Sequence, residues 1–359
     1  MRRDVAVLAG AFVASRAIVL AAALAAEHLV VRNPALTSGD AAPVLRSLTS
    51  WDGWWYLAIV RDGYHAAPLT GAYHDYAFLP LYPLLVAFLS LPWPAWVGLV
   101  AVLVSNAAFA AALVLLERLG RPYLGRRSAD AAALLAVFPF AAVFSMAYAE
   151  SLFLALSLGA FLAAERGRRG IAGILLALAA LTRLQGILLV VPLAILFLRQ
   201  DGWRLRASLA WLLAAPAATL GFFAYVAALT GEPRAYLEAQ IAWGRAGVGA
   251  APPGQNLGSV LSPTLVLLLV ILGVAVFLLV YMRPDRMRLE YALVPILYVG
   301  AVFGSGLLES VGRYVMLAFP YAWILARRRN VLFRRAWPAL SAGLLGLFAL
   351  LGFGGYFVP

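Results

Sequence analysis

Trp51-Asp52-Gly53-Trp54-Trp55-Tyr56 sets one carboxylate among four aromatic side chains, in the first long polar gap after an apolar segment. Trp and Tyr collect where a bilayer meets water. Ordinary membrane loops are short and polar, so this one reads as a binding surface for a polar substrate at the bilayer edge. A proline-broken aromatic run, Tyr76-Ala77-Phe78-Leu79-Pro80-Leu81-Tyr82-Pro83, follows and enters the next apolar segment. Two further charges stand in apolar surroundings: Glu150, within Ser145–Leu152, and Arg183, in the middle of the apolar stretch 171–198. Ionised groups in such places are expensive and are kept for pairing or for function. A guanidinium at Arg183 calls for a carboxylate, a phosphate or a water-filled cavity. Phosphate recognition and pairing with Glu150 are both open. Glu309 and Arg313-Tyr314 lie at another span edge, where an arginine can snorkel without further purpose. Arg16 can do the same or pair within the bundle.

These residues need elements to hold them. Positions 51, 54, 55 and 59 share one helical face, which predicts an amphipathic helix lying in the interface. Ser50 or Asp52 can cap it, and a cap alone would ask no chemistry of Asp52. Asp62-Gly63 ends it in a turn. Asp75 and His74 precede the aromatic run. The three histidines, His28, His65 and His74, show no metal-ligand spacing, and His74 reads most simply as an interfacial polar residue. Cysteine is absent, which excludes disulfides and thiol chemistry.

Composition places all of this in a membrane. Of the 359 residues, 64% are hydrophobic and 12% charged, and mean hydropathy is +0.90; soluble domains carry about 25% charged residues. The net charge of +12 comes from 28 arginines and no lysine. Twenty of those arginines fall in six clusters: 2–3, 118–127, 166–169, 199–206, 283–288 and 327–335. They lie between apolar segments, which argues for membrane topology and against nucleic acid. The positive-inside rule puts all six in the cytoplasm. Residues 27–75, 146–151, 230–258 and 305–312 then face outside with the C-terminal end.

Spans are expected at about 5–26, 95–116, 129–147, 151–164, 207–229, 260–281, 289–306, 311–326 and 337–357. Two apolar stretches do not fit as crossings. Residues 76–91 are short and carry Pro80 and Pro83, which predicts a re-entrant segment or a short helix. Residues 171–198 are interrupted at Thr182-Arg183-Leu184-Gln185-Gly186, which predicts two half-helices. If both cross fully, the count rises from nine to eleven. Irregular backbone at membrane depth survives only where protein or a cavity encloses it, so both breaks point toward a site. The run after Met1-Arg2-Arg3 is too long for a cleaved signal and reads as a retained signal-anchor helix. Pro252-Pro253-Gly254 marks a turn in the loop 230–258. The whole chain, 1–359, reads as one all-α membrane domain.

The ordered motifs resemble a family. Trp51–Tyr56, Asp62-Gly63-Tyr64 and Ala77–Pro83 are similar to the first-loop signature of PIG-V-type mannosyltransferases, in the GT-C class of polytopic glycosyltransferases. The likeness continues through Phe138-Pro139, Tyr148-Ala149-Glu150-Ser151-Leu152-Phe153, Leu181–Gly186, Ala239-Gln240 with Trp243-Gly244-Arg245, and Arg313-Tyr314 with Phe319-Pro320. Ala149 replaces the family's usual Ser, and Leu79 its usual Phe, which leaves the acceptor open.

The resemblance implies a GT-C helical bundle of about 9–11 spans, with an interfacial helix in the first outer loop. It implies inverting transfer of mannose from a polyprenyl-phosphate-mannose donor to a glycan, glycolipid or protein acceptor on the extracytoplasmic face. Asp52 matches the family's essential acid and would take the acceptor proton. Glu150 and Asp75 are second carboxylate candidates. Arg183, Arg313 and Arg245 are candidates for the donor phosphate. Trp51, Trp54, Trp55, Tyr56, Tyr82, Tyr148 and Gln185 are candidates for sugar or lipid-headgroup contact. Nothing demands a nucleotide, a cofactor or a metal, and a divalent metal stays open. The expected location is a bacterial plasma membrane with the site facing outside. A transporter or flippase for a lipid-linked sugar also needs intramembrane charges and broken helices, but the sequence shows no paired inverted repeats. A purely structural subunit leaves Asp52, Glu150 and Arg183 unexplained together.

Overall fold

The computed structural model describes residues 2–32, 42–243, 287–305, 311–328 and 330–356. Among these residues the regular structure is helical, as the apolar segments predict. In chain order the helices are α1 Arg2–Leu29, α2 Pro43–Leu48, α3 Asp52–Asp62, α4 Leu81–Ser90, α5 Val97–Leu124, α6 Arg127–Ala136, α7 Glu150–Glu165 and α8 Arg169–Ala180. They continue with α9 Val190–Gln200, α10 Ala214–Thr230, α11 Ala235–Ala242, α12 Leu289–Ser305, α13 Val311–Leu317, α14 Pro320–Arg327 and α15 Val331–Gly354.

Four helical runs are long and apolar enough to cross a membrane: Arg3–Leu29, Pro94–Leu124, Ala207–Thr230 and Val331–Gly354. At 1.5 Å per residue, α1 and α5 reach about 42 Å, beyond a hydrocarbon core of about 30 Å. The remaining apolar helices are shorter. The expected span 260–281 lies outside the described residues.

Two expected spans are corrected. Residues 129–147 do not form one crossing. α6 ends at Ala136, and Pro139 bars the α conformation at Phe138 and removes a donor beyond it. The chain then runs as turns and a short 3-10 segment to Ala149. Residues 311–326 break at Ala318-Phe319 ahead of Pro320, giving α13 and α14. The interrupted stretch 171–198 does form two half-helices. α8, about 18 Å long by its twelve residues, stops before Thr182, and α9 returns to the level where α8 began. There the Arg169 guanidinium binds both Asp201 oxygens at 2.7 Å. Residues 76–91 hold a short helix, α4.

Side-chain contacts sort the bundle into two ends. Arg121 bonds Asp4 at 2.7 Å and also pairs with Glu117. Glu165 accepts from Tyr123, Arg288 and Tyr291 at 2.7–3.0 Å. Arg199 meets Glu290 at 2.6 Å, and Trp323, just before the last basic cluster, stacks on Tyr123. Among the described residues, Arg121, Arg169, Arg199 and Arg288 thus bring their clusters to one end, each bound to an acid there. The opposite end gathers the first polar loop, the 137–149 segment, the chain break at 181–189, the start of α13 and the end of α15. Trp51 Nε1 donates to Gly352 O at 2.8 Å, and Tyr356 Oη donates to Val31 O.

Shared placement of the arginines at one end gives the first prediction. In intact cells an impermeant maleimide should label exposed Thr70→Cys in this cysteine-free chain. It should label Arg204→Cys only after the membrane is opened. The reverse pattern would overturn the sidedness.

Candidate active site

α3 begins where the aromatic loop predicted it, and Gly63 ends it at φ +76, a conformation glycine adopts without strain. Its inward side is not quite the predicted one. Gly53, Trp55, Tyr56, Leu57 and Ile59 are buried, while Trp54 turns outward, 41% exposed. The chain enters α3 through Trp51 at φ +56, where a side chain is rarely tolerated. Such strain persists only where neighbours fix it; here the Trp51 indole is tied to Gly352. Asp52 is the first residue of the helix but makes no side-chain cap. Its carboxylate Oδ2 accepts from Arg313 Nη1 at 2.6 Å, and its backbone N–H donates to the Tyr148 hydroxyl at 3.2 Å.

Arg313 also lies 3.4 Å from Glu150 Oε1, and that same oxygen accepts from Arg183 Nη1 at 2.5 Å. Asp52, Arg313, Glu150 and Arg183 thus form a chain of alternating charge. Glu150 is wholly buried, and its Oε2 has no hydrogen-bond partner among the described residues. Asp52 is the most open of the four, with its side chain 18% exposed. Arg183 lies over the Tyr314 ring and Arg313 over the Tyr148 ring, at 5.5 and 5.8 Å from the centroids. Burial, and then the Glu150 charge, hold the Tyr56 hydroxyl well above a phenol's ordinary range, so it stays protonated beside these carboxylates.

Local backbone explains how each charge arrives. The run Val137–Ala149 is mostly buried and lies outside any α-helix, so its carbonyls need donors from elsewhere. Three long helices, α1, α5 and α15, supply them. Arg16 Nη2 reaches Ala141 O at 3.3 Å, Asn106 Nδ2 reaches Ser145 O at 3.4 Å, Ser105 Oγ reaches Tyr148 O at 3.0 Å, and Ser341 Oγ reaches Val137 O at 2.8 Å. The Ala147 N–H donates to Leu48 O at 2.7 Å, which binds the segment to the loop carrying Asp52. Arg16 therefore pairs inside the bundle rather than snorkelling. Arg183 stands in extended backbone after α8. Gly186 lets the chain turn back there, since a Cβ on it would come within 2.5 Å of Ala180 N. Gly312 admits the Phe140 ring, 2.6 Å from where its Cβ would be, and so presses α13 and Arg313 onto the irregular segment. Leu81 N donates to Leu181 O at 2.9 Å, joining α4 to the Arg183 break.

The other candidates are placed as follows. Asp75 is fully buried but stands apart from the charge chain. It accepts from His65 Nδ1 at 2.9 Å and from the His65 N–H at 3.1 Å. Burial holds the His74 imidazole below its usual range, so it is neutral at pH 7. Tyr82 is buried, with its hydroxyl on Ala101 O and Ser105 Oγ, both at 2.9 Å. It packs edge-on to Tyr56, and in this structure it is a packing residue with no face for a ligand. Trp55 is likewise enclosed, stacked on Phe78 and edge-on to Trp243. Gln185 is half-buried beside Arg183. Gln240 and Trp243 of the later motif close on the first loop, donating to Ala77 O at 3.0 Å and His74 O at 3.3 Å. Arg245, Glu309 and Pro252-Pro253-Gly254 lie outside the described residues. Among the described residues, no three acidic or histidine side chains come together as a metal site. Sequence reasoning missed Ser105-Asn106 and the His65–Asp75 pair. A polar dipeptide in mid-span was the available signal for the first; the second lay in tertiary structure alone.

The arrangement is similar to solved structures of the oligosaccharyltransferase of Archaeoglobus fulgidus. Its apo form matches with a TM-score of 0.53 and 14% identity, over 99% of this chain and 56% of that one. Its complex with Zn and sulfate matches with a TM-score of 0.54 and 15% identity, over 96% and 53%. This chain spans about half the length of those structures, and at such identity the likeness speaks for the fold. With its apolar helices, that fold defines the class: a polytopic helical membrane protein sharing the fold of that oligosaccharyltransferase. Residues 3–200, more than half of the chain, match the family described as mannosyltransferase (PIG-V), and the chain belongs to that family. No curated protein matches it.

The charge chain gives the second prediction. Glu150→Gln leaves Arg183 buried without its carboxylate, whereas Arg183→Gln still leaves Glu150 facing Arg313. Breaking a buried pair from one side costs about 3–5 kcal/mol. Glu150→Gln should therefore lower the melting temperature in detergent more than Arg183→Gln does, and the double substitution should be milder than Glu150→Gln alone. The opposite ranking would contradict the pairing.

Proposed function

We propose that this glycosyltransferase moves mannose from a polyprenyl-phosphate-mannose donor to an acceptor hydroxyl at the extracytoplasmic membrane face, with inversion. The observation that carries the reading is the convergence of Asp52, the more open carboxylate of the charge chain, with two guanidiniums at one end of the bundle. Transfer from a lipid phosphate needs a base for the acceptor proton and positive charge for the departing phosphate. Asp52 is the base. Arg183 and Arg313 hold the phosphate, and Arg313 stands between phosphate and base. Glu150 keeps both arginines in place. Trp54, turned outward beside Asp52, serves the sugar or the lipid headgroup. The isoprenoid tail runs in the bilayer, and the acceptor, a glycan, glycolipid or protein, approaches from the aqueous side of the first loop. Enclosure of the site suppresses hydrolysis of the donor. The family supports the sugar, and the fold supports a polytopic transferase; a bacterial plasma membrane suits both. A transporter or flippase draws no support from a carboxylate held at an aromatic, half-open helix start.

Two experiments test this reading. Membranes carrying the chain, given radiolabelled polyprenyl-phosphate-mannose, should form a labelled product. Asp52→Asn should lower that rate about 10²–10⁴-fold while the protein stays folded and inserted. Near-wild-type activity of the variant would reduce Asp52 to a structural partner of Arg313. Donor recognition is tested separately. Arg183→Gln should raise the apparent KM for the donor more than that for the acceptor. Arg183→Lys should restore only part of the loss, because charge returns without the planar fork. Equal effects on both substrates would remove Arg183 from the phosphate site.

A further inference from the structure

We propose that Arg313 is a shared counter-ion that leaves the Asp52 carboxylate for the donor phosphate, so that donor binding itself frees the base. The inference rests on the functional reading above. Its basis is that one guanidinium nitrogen serves two carboxylates, Asp52 at 2.6 Å and Glu150 at 3.4 Å. An arginine carries five N–H donors, so it can keep Glu150 as an anchor while exchanging Asp52 for another anion. While Arg313 holds Oδ2, that oxygen is occupied and closed to the acceptor proton. A phosphate arriving between Arg183 and Arg313 competes for that same guanidinium.

Charge balance through the reaction favours such an exchange. The four side chains carry two negative and two positive charges, and a phosphodiester donor adds one negative charge. The acceptor oxygen attacks the anomeric carbon and forms the new C–O bond. The bond from that carbon to the phosphate oxygen breaks, and its electron pair leaves with the phosphate, which gains one negative charge. The acceptor proton passes to Asp52, which loses one. The total is unchanged, but one negative charge has moved from Asp52 to the phosphate. In a buried site, charge that moves without its counter-ion is costly. Arg313 already stands at the carboxylate where the charge starts and beside the arginine to which it goes.

Among the described residues, the groups facing Asp52 are Arg313 of α13, Tyr148 of the irregular segment and Tyr56 of α3 itself. Beyond them stand Glu150 and Arg183. Among these, Arg313 is the cation in direct contact. Its departure opens Oδ2 for a proton to take the place of the guanidinium.

Two measurements test the exchange. The first is calorimetry of the purified wild-type protein with methyl farnesyl phosphate, a phosphodiester that does not itself titrate, in two buffers of different ionisation heat near pH 5. Binding should take up protons in the wild type, and Asp52→Asn and Arg313→Gln should each abolish that uptake. Equal uptake in wild type and Asp52→Asn, or none in the wild type, would overturn the exchange. The second is the pH dependence of transfer. The acid limb of kcat at saturating donor reports the complex, and that of kcat/KM the free protein. In the wild type the former should lie about one pH unit or more above the latter, and Arg313→Lys should narrow the gap. Coincident limbs in the wild type would overturn the proposal. If the wild type transfers no sugar, or does not bind the phosphodiester, the functional reading fails and the exchange with it. If it transfers sugar with coincident limbs and no Asp52-dependent uptake, the exchange alone fails.

Discussion

A carboxylate with no exposure, held between two guanidiniums, is the interaction on which the rest of this structure depends. A buried carboxylate left without its partner is strongly destabilising, and here Arg183 and Arg313 are the partners, at 2.5 and 3.4 Å. The pairing ties together four places far apart in the chain: the start of α3, the start of α7, the break after α8 and the start of α13. None of these four is the interior of a membrane-length helix. Each is a point where regular structure stops.

Stopping a helix inside a membrane leaves polar backbone to be satisfied, and the long helices do that here. Arg16, Ser105, Asn106 and Ser341 are polar residues inside spans, and each bonds a carbonyl of the segment 137–149. Pro139 forces the irregularity, and the spans accommodate it. Gly312 then lets α13 close on the segment, and Gly186 lets the chain fold back on the end of α8, at distances where any larger residue would collide with ring or backbone. The scaffold of apolar helices is therefore adapted to one short stretch of non-helical chain, which delivers Tyr148 and Glu150 to Asp52.

Much of this was legible in the sequence, unevenly. The sharing of one end by the arginine clusters follows from charge alone, because their alternation with apolar segments leaves few other solutions. The break at Thr182–Gly186 and the short helix after Pro80 were also legible, since a charge, a glycine or a proline interrupts an apolar run there. The Pro139 break was not recognised, because the run from 129 to 147 has enough hydrophobic residues to pass for a span. The partner of Asp52 was not legible either. Arg313 is 261 residues away, and nothing local to it distinguishes an arginine at the bilayer edge from one buried on a carboxylate. Tyr82 illustrates the reverse case: an aromatic beside a proline reads as a ligand contact, yet its hydroxyl is satisfied by α5. Local pattern reports where helices stop, but which buried charges meet is a property of tertiary packing.

The account makes the four-charge chain both the structural clasp of this end of the bundle and the place where a lipid-linked phosphate is received. A direct view of the donor in place tests that double role. Cryo-electron microscopy of the Asp52→Asn protein in a lipid nanodisc with polyprenyl-phosphate-mannose would show where the phosphate rests. The account predicts phosphate oxygens within hydrogen-bonding distance of both Arg183 and Arg313, with the sugar on the side of residue 52 and Glu150 still bound to both arginines. A donor phosphate seated elsewhere, with Arg183 and Arg313 engaged only by Glu150, would contradict it.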